Sequence, residues 1–402
     1  MEKTQTNTTQ TDNNWGTSYG QMVSREFFKS ILNKLSLGFI ILLFTIAVLA
    51  PFIANDKPYC IKIDGSWKFP LLTTLTANDI TVLLFAIAAI ILLVFARRNS
   101  RKIDPSMRSA VFGRQLSITL AATIILSITS QWLVPHKNIT TDYKELAVSG
   151  KAEGAVFAPV PYSYARTSLK DRYLPPSKEH LFGTDDVGSD LLARVIHGSR
   201  ISLSVGFVAV GISLVIGIFV GAILGYFGGK IDFIGMRIIE IVMAVPTFFL
   251  IITIVAFYER SLFNIMVIIG VTSWTGHARF VRAEFLKLRQ QDFVQAAKAL
   301  GLPLRSILFR HMLPNGVAPV LVSATFGIAA AIFTEAALSF LGFGVVPPTP
   351  SWGQMLSRGV SVTGEFLWWL SLFPGMAIFL TAIAYNMLGE GLRDAIDPKL
   401  RK

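Results

Sequence analysis

Residues 292–314 read DFVQAAKALGLPLRSILFRHMLP and form a polar interruption in a strongly apolar chain. The wider stretch 277–316 carries seven Lys or Arg and two Asp or Glu. The chain of 402 residues is 52% hydrophobic and 15% charged, whereas soluble domains average about 25% charged residues. Because so little charge cannot cover a water-exposed surface, the composition predicts an integral membrane protein with 292–314 in a loop between spans.

The interruption has the signals of two short helices joined by a glycine turn. Asp292 is a suitable N-cap for a helix over 292–301, and Gln295 completes a capping-box-like pair. Gly301 suits the left-handed position after a helix, and Pro303 suits the first turn of the next. Each helix has an apolar stripe, formed by Phe293, Ala296, Ala297 and Leu300 in the first and by Leu304, Ile307, Leu308 and Met312 in the second. Two interpretations stay open: a surface helix on lipid headgroups, or a docking site for a cytoplasmic partner.

Apolar segments long enough to cross a bilayer predict about eight transmembrane helices. They lie at 35–54, 80–96, 116–134, 202–226, 238–257, 262–276, 319–342 and 366–388. The segments at 80–96 and 262–276 are short for a span.

Loop charge predicts the orientation, since short basic loops stay cytoplasmic. Loop 97–114 has six Lys or Arg against one Asp, and 277–316 is similarly basic. Eight spans place both loops on the cytoplasmic side, together with both termini, and leave the long 135–200 loop outside. The two basic loops carry ten of the twelve net positive charges, so the basic balance does not require nucleic acid as a partner.

The same pattern divides the chain into four regions. Residues 1–30 lack the apolar core of a signal peptide and are predicted to be a disordered cytoplasmic tail. Residues 31–115 are predicted to form an N-terminal helix pair with a basic cytoplasmic loop. Residues 116–201 would hold the first core helix and the external loop, and 202–402 the core with its loop 277–316.

No residue set in the sequence suggests catalysis or a metal site. Gly228-Gly229-Lys230 lacks the earlier glycine and the following Ser or Thr of a phosphate loop, which favours a tight turn. Glu240 and Glu335 fall in apolar surroundings, where a charge costs about 2.5–3.5 kcal/mol. Each is either a pathway residue or a residue near a membrane surface; for Glu240 the surface position is favoured, because Arg237 lies three residues before it.

The loop residues carry a resemblance to a known family. Ala296-Ala297, Gly301 and Leu313-Pro314 resemble the EAA loop of bacterial ATP-binding-cassette importer permeases. In that family the loop forms a coupling helix that fits a groove on the ATPase subunit. Gln295 stands where the family usually has Glu, and His311 matches the His-x-Leu-Pro ending that is usual in the peptide branch.

Three further stretches resemble dipeptide, oligopeptide and nickel permeases. FGTDDVGSDLLARVIHGSR (182–200) resembles the segment before their second core span, with Ser189 in place of a usual Arg. TEAALSFLGFGVVPPTPSWGQML (334–356) resembles their signature near the fifth core span, and LGEGLRDAIDPKLR (388–401) their C-terminus. Besides Glu335, the signature residues carried over are Gly183, Thr184, Asp185, Asp190, Arg200, Gly342, Pro347, Pro348 and Trp352.

This resemblance implies an all-α permease with a six-helix importer core plus an extra N-terminal helix pair. Asp292, Gln295, Ala296, Ala297, Leu300, Gly301, Leu313 and Pro314 would couple it to the ATPase. The implied partners are a second permease subunit, two ATP-binding subunits, an extracytoplasmic solute-binding protein and the inner-membrane bilayer. The two permease subunits are expected to differ and to form a heterodimer. The chain itself would bind no cofactor, because ATP and Mg would bind the partner.

Peptides are the favoured solute, with nickel or another small solute as the alternative. A proton-coupled transporter is a rival interpretation that would need paired intramembrane ionisable residues, and Glu240 and Glu335 are isolated in the sequence. An intramembrane enzyme would need a Ser/His or metal set within the spans, which the sequence does not suggest.

Overall fold

A computed structural model describes residues 19–102, 105–133, 141–149, 152–359 and 364–396. Its first part contains α1 (Tyr19–Phe27), α2 (Ile31–Ile53), β1 (Cys60–Ile63), β2 (Ser66–Lys68), α3 (Pro70–Thr73), α4 (Ala77–Lys102), α5 (Pro105–Leu133), α6 (Tyr143–Val148), β3 (Gly154–Val156) and a 3-10 turn (Leu169–Asp171). Its second part contains α7 (Leu191–Phe227), α8 (Gly229–Ala244), α9 (Thr247–Phe257), α10 (Leu262–Thr272), α11 (Trp274–Leu288), α12 (Asp292–Ala299), α13 (Leu304–Ser306), a π-helix (Ile307–Met312), α14 (Leu313–Phe340), α15 (Trp352–Ser357) and α16 (Trp368–Ile396).

Among the described residues, six helices are long and apolar enough to cross a membrane. They are Ile31–Ile53, Ala77–Asn99, Val111–Leu133, Leu191–Phe227, Pro319–Phe340 and Trp368–Ile396. The pair α8 and α9 would be a seventh, with a bend of 73° between its halves. Pro246 lies at this break and is the N-cap of α9, because proline has no N–H to continue a helix. The all-α membrane architecture is confirmed, while the predicted span 238–257 is broken near its middle.

The predicted span at 262–276 is the other difference from the eight predicted helices. α10 has 11 residues, too few to cross a bilayer, and the chain resumes as α11 after Ser273. Both helices run alongside α7 in the same direction, since Gly270 packs on Ile212 and Gly225 packs on Phe285. α10 and α11 together therefore make the traverse that the sequence assigns to one helix.

α7 is the central helix, and glycines let α11 approach it closely. Gly217, Gly221 and Gly225 are four residues apart, and a Cβ on any of them would lie within 2.6 Å of an α11 atom. Small residues at this spacing allow membrane helices to pack backbone to backbone. α2, α10 and α14 also pack on α7, so it contacts most of the core.

A small antiparallel sheet lies at one end of the helices and has the strand order β2-β1-β3. Asp64 and Gly65, with φ angles of 53° and 73°, turn the chain from β1 to β2. β1 pairs with β3 through Cys60–Val156 and Lys62–Gly154. We call this the sheet end, and we call the opposite end, which holds residues 289–312, the loop end. The sheet therefore joins segments on either side of α4 and α5.

The N-terminal tail is ordered in part. Residues 1–18 of the predicted disordered tail 1–30 lie outside the described residues. Tyr19–Phe27 form α1, which packs against α16, and the Asn33 side chain donates to the carbonyl of Phe27 at 3.1 Å. The prediction of disorder is wrong for α1.

The peripheral helix pair is α4 and α5, not the pair predicted within 31–115. α2 packs on both α7 and α16, whereas α5 packs mainly on α4, and α4 reaches the rest of the chain mainly through α2. The burial of the three helices supports this assignment. In the most apolar segment of α4 and of α5, 11% of the residues are buried, against 33% in α2. The predicted first core helix at 116–134 therefore belongs to the added pair, and α2 belongs to the core.

Candidate coupling surface and sheet-end network

α12 ends in a hydrogen-bonded turn that needs a glycine. The Leu302 N–H donates to the Ala297 carbonyl at 3.2 Å, and the Gly301 N–H donates to the Lys298 carbonyl at 2.9 Å. This pair of bonds is a Schellman motif, whose turning residue is left-handed. Gly301 has a φ of +69°, so the predicted glycine turn is present.

The start of α12 differs from the predicted capping box. Gln291 is the N-cap, Asp292 is the first helical residue, and no side chain that the structure describes caps the start of the helix. The Gln295 side chain donates instead to the Arg289 carbonyl at 2.7 Å. It therefore ties α12 to the end of α11, while Asp292 lies where a negative charge favours the helix dipole.

The predicted apolar stripe of α12 is divided between two faces. Val294 and Ala297 are buried at 0% and 4% exposure. Phe293, Ala296 and Leu300 face outward, and Leu300 is 78% exposed. Val294 was missed because the stripe was drawn through Phe293, one residue away. We call Phe293, Ala296 and Leu300 the outer face of α12.

The second predicted helix does not end at Pro314 but continues into the membrane core. α13 and the π-helix lead into α14 without a break, and Pro314 is the second residue of α14. Ile307, Leu308 and Met312 are buried as predicted, while Leu304 is 40% exposed. Leu313 and Pro314 therefore form the joint between the loop and α14.

A buried cluster fixes α12 to the core helices. Val294 and Ala297 pack with Ile307 and Met312 of the π-helix. The same cluster contains Ala222, Val281, Phe285, Leu288, Leu308 and Val320 from α7, α11, the π-helix and α14. α12 is therefore packed into one apolar unit with the inner halves of α7 and α11.

The loop end is basic, and several of its cations are held in place. The Arg289 guanidinium donates to the carbonyls of Tyr226 and Phe227, both at 3.3 Å. Lys298 lies over the Tyr226 ring, 5.1 Å from its centroid. Arg282 donates to the carboxylate of Asp232. The charges thus link α8 to α11, and α7 to the end of α11 and to α12.

Gly183, Thr184 and Asp185 lie at the sheet end, where they shape the turn before α7. Gly183 has a φ of +78°, and a Cβ there would lie 2.6 Å from the Leu174 carbonyl. The Thr184 hydroxyl accepts from the Leu174 N–H at 2.8 Å. Asp185 accepts from the N–H groups of Val187 and Ser189 at 3.0 and 2.8 Å. These contacts are local and define the entry to the core.

Asp190 and Arg200 have separate contacts on α7. Asp190 is the N-cap, accepting from the Ala193 N–H at 2.8 Å, and its other oxygen is 2.9 Å from His180 Nδ1. Arg200 pairs with Asp79 at the start of α4. The family-signature residue Arg200 is thus joined to the added helix pair.

The signature stretch 334–356 packs against the signature stretch 182–200. The Trp352 indole donates to the Val195 carbonyl at 3.0 Å. Gly342, with a φ of +84°, ends α14, and the Pro347–Pro348 peptide bond lies in the loop that follows and is cis. The stretches 182–200 and 334–356, which are far apart in the sequence, therefore pack together as one unit.

Glu335 is fully buried in α14 and accepts from the Ser339 hydroxyl at 2.6 Å. Ser339 in turn accepts from Ser351 at 3.3 Å. Glu335 thus has no exposed surface in this chain. Glu240 is exposed and pairs with Arg237, in agreement with a position near a surface.

Sequence reasoning missed the ion network that joins the two signature stretches. Arg194 is 2% exposed, lies 3.4 Å from an Asp185 oxygen and donates to Gln354 at 3.2 Å. Arg358 pairs with Asp186 and lies 3.6 Å from Asp185. An arginine three residues into a helix, followed by an apolar run, is the signal that could have pointed to Arg194. The network and the outer face of α12 lie at opposite ends of the molecule.

Comparison with known proteins gives the family. The family model described as binding-protein-dependent transport system inner membrane component matches residues 217–402. The model described as N-terminal TM domain of oligopeptide transport permease C matches residues 18–69. The second match covers α1 and α2, which agrees with α4 and α5 being the addition.

Similar curated proteins are peptide permeases by name. The dipeptide transport system permease protein DppC of Alkalihalophilus pseudofirmus is 44% identical over 249 residues, 61% of this chain and 82% of that protein. The oligopeptide transport system permease protein OppC of Bacillus subtilis is 43% identical over 250 residues, 62% of this chain and 82% of that protein. A solved structure of the MetNI methionine ABC transporter in an inward-facing conformation is 20% identical, covering 50% of this chain and 97% of that one with a TM-score of 0.42. This chain belongs to the family of binding-protein-dependent transport system inner membrane components, and it is a transport permease rather than an enzyme.

Proposed function

We propose that this chain is the permease subunit of an ATP-driven importer and that it docks an ATPase subunit through the outer face of α12. The observation that carries the proposal is the exposed Leu300 on a helix whose opposite side is completely buried. An exposed apolar face on a rigidly held helix is a suitable anchor for a partner groove. Basic side chains around it add electrostatic attraction for an acidic rim.

The mechanism follows from the rigid attachment of α12. When the ATPase subunits close on ATP, α12 moves with them, and the buried cluster transmits this motion to α7, α11 and α14. Because a packed core moves as a body, the expected response is a switch between inward-open and outward-open arrangements. ATP and Mg bind the ATPase subunits in this proposal, and this chain supplies the lever.

Peptides are the proposed solute. The relatives described above are named dipeptide and oligopeptide permeases, and no observation on this chain favours the nickel alternative. A solute-binding protein would deliver the peptide to the sheet end, and a second permease chain, in a heterodimer, would complete the pathway.

The proposed site is the inner membrane, with both termini and the loop end in the cytoplasm. The basic loops 97–114 and 277–316 support this orientation. It places α12 on the side where ATP is available and the small sheet outside. α1 and the C-terminal part of α16, which pack together, would then both be cytoplasmic.

The test is co-purification of the chain with its ATPase subunits after Leu300→Asp. Burying a leucine side chain contributes about 1.5–3 kcal/mol, so its loss is expected to weaken association at least about tenfold. Leu169→Asp is the matched control, because Leu169 is 74% exposed at the sheet end. It is expected to leave ATPase binding unchanged.

Retention of the ATPase by Leu300→Asp at the wild-type level would refute docking through this face. Equal loss in both leucine variants would indicate general misfolding, and the monodispersity of each variant in detergent separates this case. Peptide uptake in whole cells is measured in parallel, and normal uptake by Leu300→Asp would also contradict the proposal.

A further inference from the structure

An apolar groove runs beside the joint between the loop and the core. Its volume is about 290 Å³, and its nine lining residues are all hydrophobic. Phe219 and Ile223 of α7 form one wall, and Leu308 and Phe309 of the π-helix form the other. The groove is near the lower limit of the usual size of small-ligand sites.

The mouth of the groove lies on a face of α7 that no described residue covers. Val215 and Phe219 line it and are 70% and 63% exposed. They lie 12 and 8 residues before the end of a 37-residue apolar helix at Phe227, far enough inside it for the surroundings to be hydrocarbon rather than water. An occupant that enters from this side therefore has to be apolar along most of its length.

The loop-end rim of the groove carries positive charge. Arg305, Phe309 and Leu313 are four residues apart along α13, the π-helix and α14, so they lie on roughly one side with Arg305 nearest the loop end. Arg305 and Arg310 are exposed, and neither has a carboxylate partner among the described residues.

The carboxylates of α8 and α11 are engaged elsewhere. Asp232 pairs with Arg282, and Glu284 lies 3.6 Å from Lys287. A ligand at the rim that complements Arg305 and Arg310 therefore carries negative charge, while the groove beneath it accepts an alkyl chain. Basic pockets between membrane helices bind anionic lipid headgroups in this way.

We propose that the groove binds one anionic phospholipid, with an acyl chain between α7 and the π-helix and the headgroup phosphate on Arg305 and Arg310. The lipid would contact the segment that joins α12 to α14 and would hold it against α7. The site is thus distinct from both the outer face of α12 and the sheet-end network.

The test measures lipid retained by the purified full-length chain, using native mass spectrometry with phosphatidylglycerol or phosphatidylcholine. Wild-type chain is expected to retain one phosphatidylglycerol more tightly than phosphatidylcholine. The double variant Arg305→Gln, Arg310→Gln is expected to lose about thirtyfold in phosphatidylglycerol affinity, since each basic residue near an anionic lipid contributes about 1 kcal/mol. Arg393→Gln, an exposed arginine of α16 at the same end, is the matched control and should retain the lipid.

Filling the groove gives an independent test. Ala222 lines it, and Ala222→Phe is expected to reduce retention of both lipids, with a normal thermal transition showing that the variant folds. If Ala222→Phe does not fold, Ile223→Trp at the same wall replaces it. Inorganic phosphate at millimolar concentration should not displace the lipid, because it cannot use the groove.

Four results would overturn the proposal. The first is no lipid retained by the wild type, and the second is equal retention by the double variant and Arg393→Gln. The third is a crosslink from Val215→Cys to a second permease chain, because a protein would then occupy the mouth. Displacement by inorganic phosphate would reduce the site to a phosphate contact and would also refute it.

Discussion

Gly221 offers a direct test of the contact between α7 and α11. A Cβ added there would lie 2.5 Å from the carbonyl oxygen of Ala278 and 2.8 Å from the Cβ of Val281. Gly221→Ala therefore has to separate two helix backbones. Gly211→Ala is the matched control on the same helix, because no atom of the described residues lies within 4 Å of a Cβ at Gly211.

The magnitude follows from these distances. Ordinary contact begins near 3.4 Å, so the Ala278 backbone has to retreat by about 0.9 Å, the difference between 3.4 and 2.5 Å. Overpacking of this kind costs about 1–3 kcal/mol. Replacing glycine by alanine inside a helix gains about 1 kcal/mol at both positions. The propensity gain cancels between the variants, so Gly221→Ala should be about 1–3 kcal/mol less stable than Gly211→Ala.

The assay is thermal unfolding of the purified chain in detergent, followed by intrinsic tryptophan fluorescence, together with peptide uptake in cells. We expect a lower Tm for Gly221→Ala than for Gly211→Ala, and weaker uptake, because α11 carries α12. The same Tm and the same uptake in both variants would mean that α7 and α11 do not pack at this glycine. The proposed transmission of motion from α12 to α7 through α11 would then be refuted.

Three further perturbations test other parts of the molecule. Gly301→Val should strain the left-handed turn by about 1–2 kcal/mol and reduce ATPase association, whereas Gly301→Asn, which tolerates this conformation, should retain it; equal association in both would contradict the need for the turn. Cys60, the single thiol, should react with an impermeant maleimide in intact cells, whereas Ser100→Cys in a Cys60→Ser background should react only after lysis; the reverse pattern would invert the orientation. Deletion of 66–152 together with Arg166→Gln and Arg200→Gln, the two arginines whose partners Asp142 and Asp79 are deleted, should preserve insertion and a cooperative thermal transition; aggregation of this variant would show that α4 and α5 are part of the core.

The sequence predicted the helical membrane fold because apolar length is a local property. Gly301 was predictable for the same reason, since a left-handed turn after a helix strongly favours one residue type. The burial of Val294 was not, because the phase of an eight-residue helix depends on what lies beneath it. Phe293 and Val294 are both apolar, and only the tertiary cluster decides which one is buried.

The broken spans and the added pair show a second limit. Pro246 is visible in the sequence, but proline in a span can be tolerated, kink a helix or break it, and packing decides the result. α11 completes the traverse that α10 begins. The charged residues of α11 lower its mean hydropathy, so hydropathy alone does not identify the part of α11 that adjoins the membrane. Assignment of α4 and α5 as the addition needed contacts, since α2, α4 and α5 are all apolar enough to cross a bilayer.

The pairing of β1 with β3 affects how such a chain can acquire new parts. Two extra crossings return the polypeptide to the side from which it left, and the paired strands return it to nearly the same point, with Lys62 opposite Gly154. A segment inserted there leaves the direction of every later helix unchanged and needs no new route through the bundle. The sheet end is therefore a position at which a membrane protein can gain or lose an even number of helices. Its loop end then stays on the same side of the membrane as before.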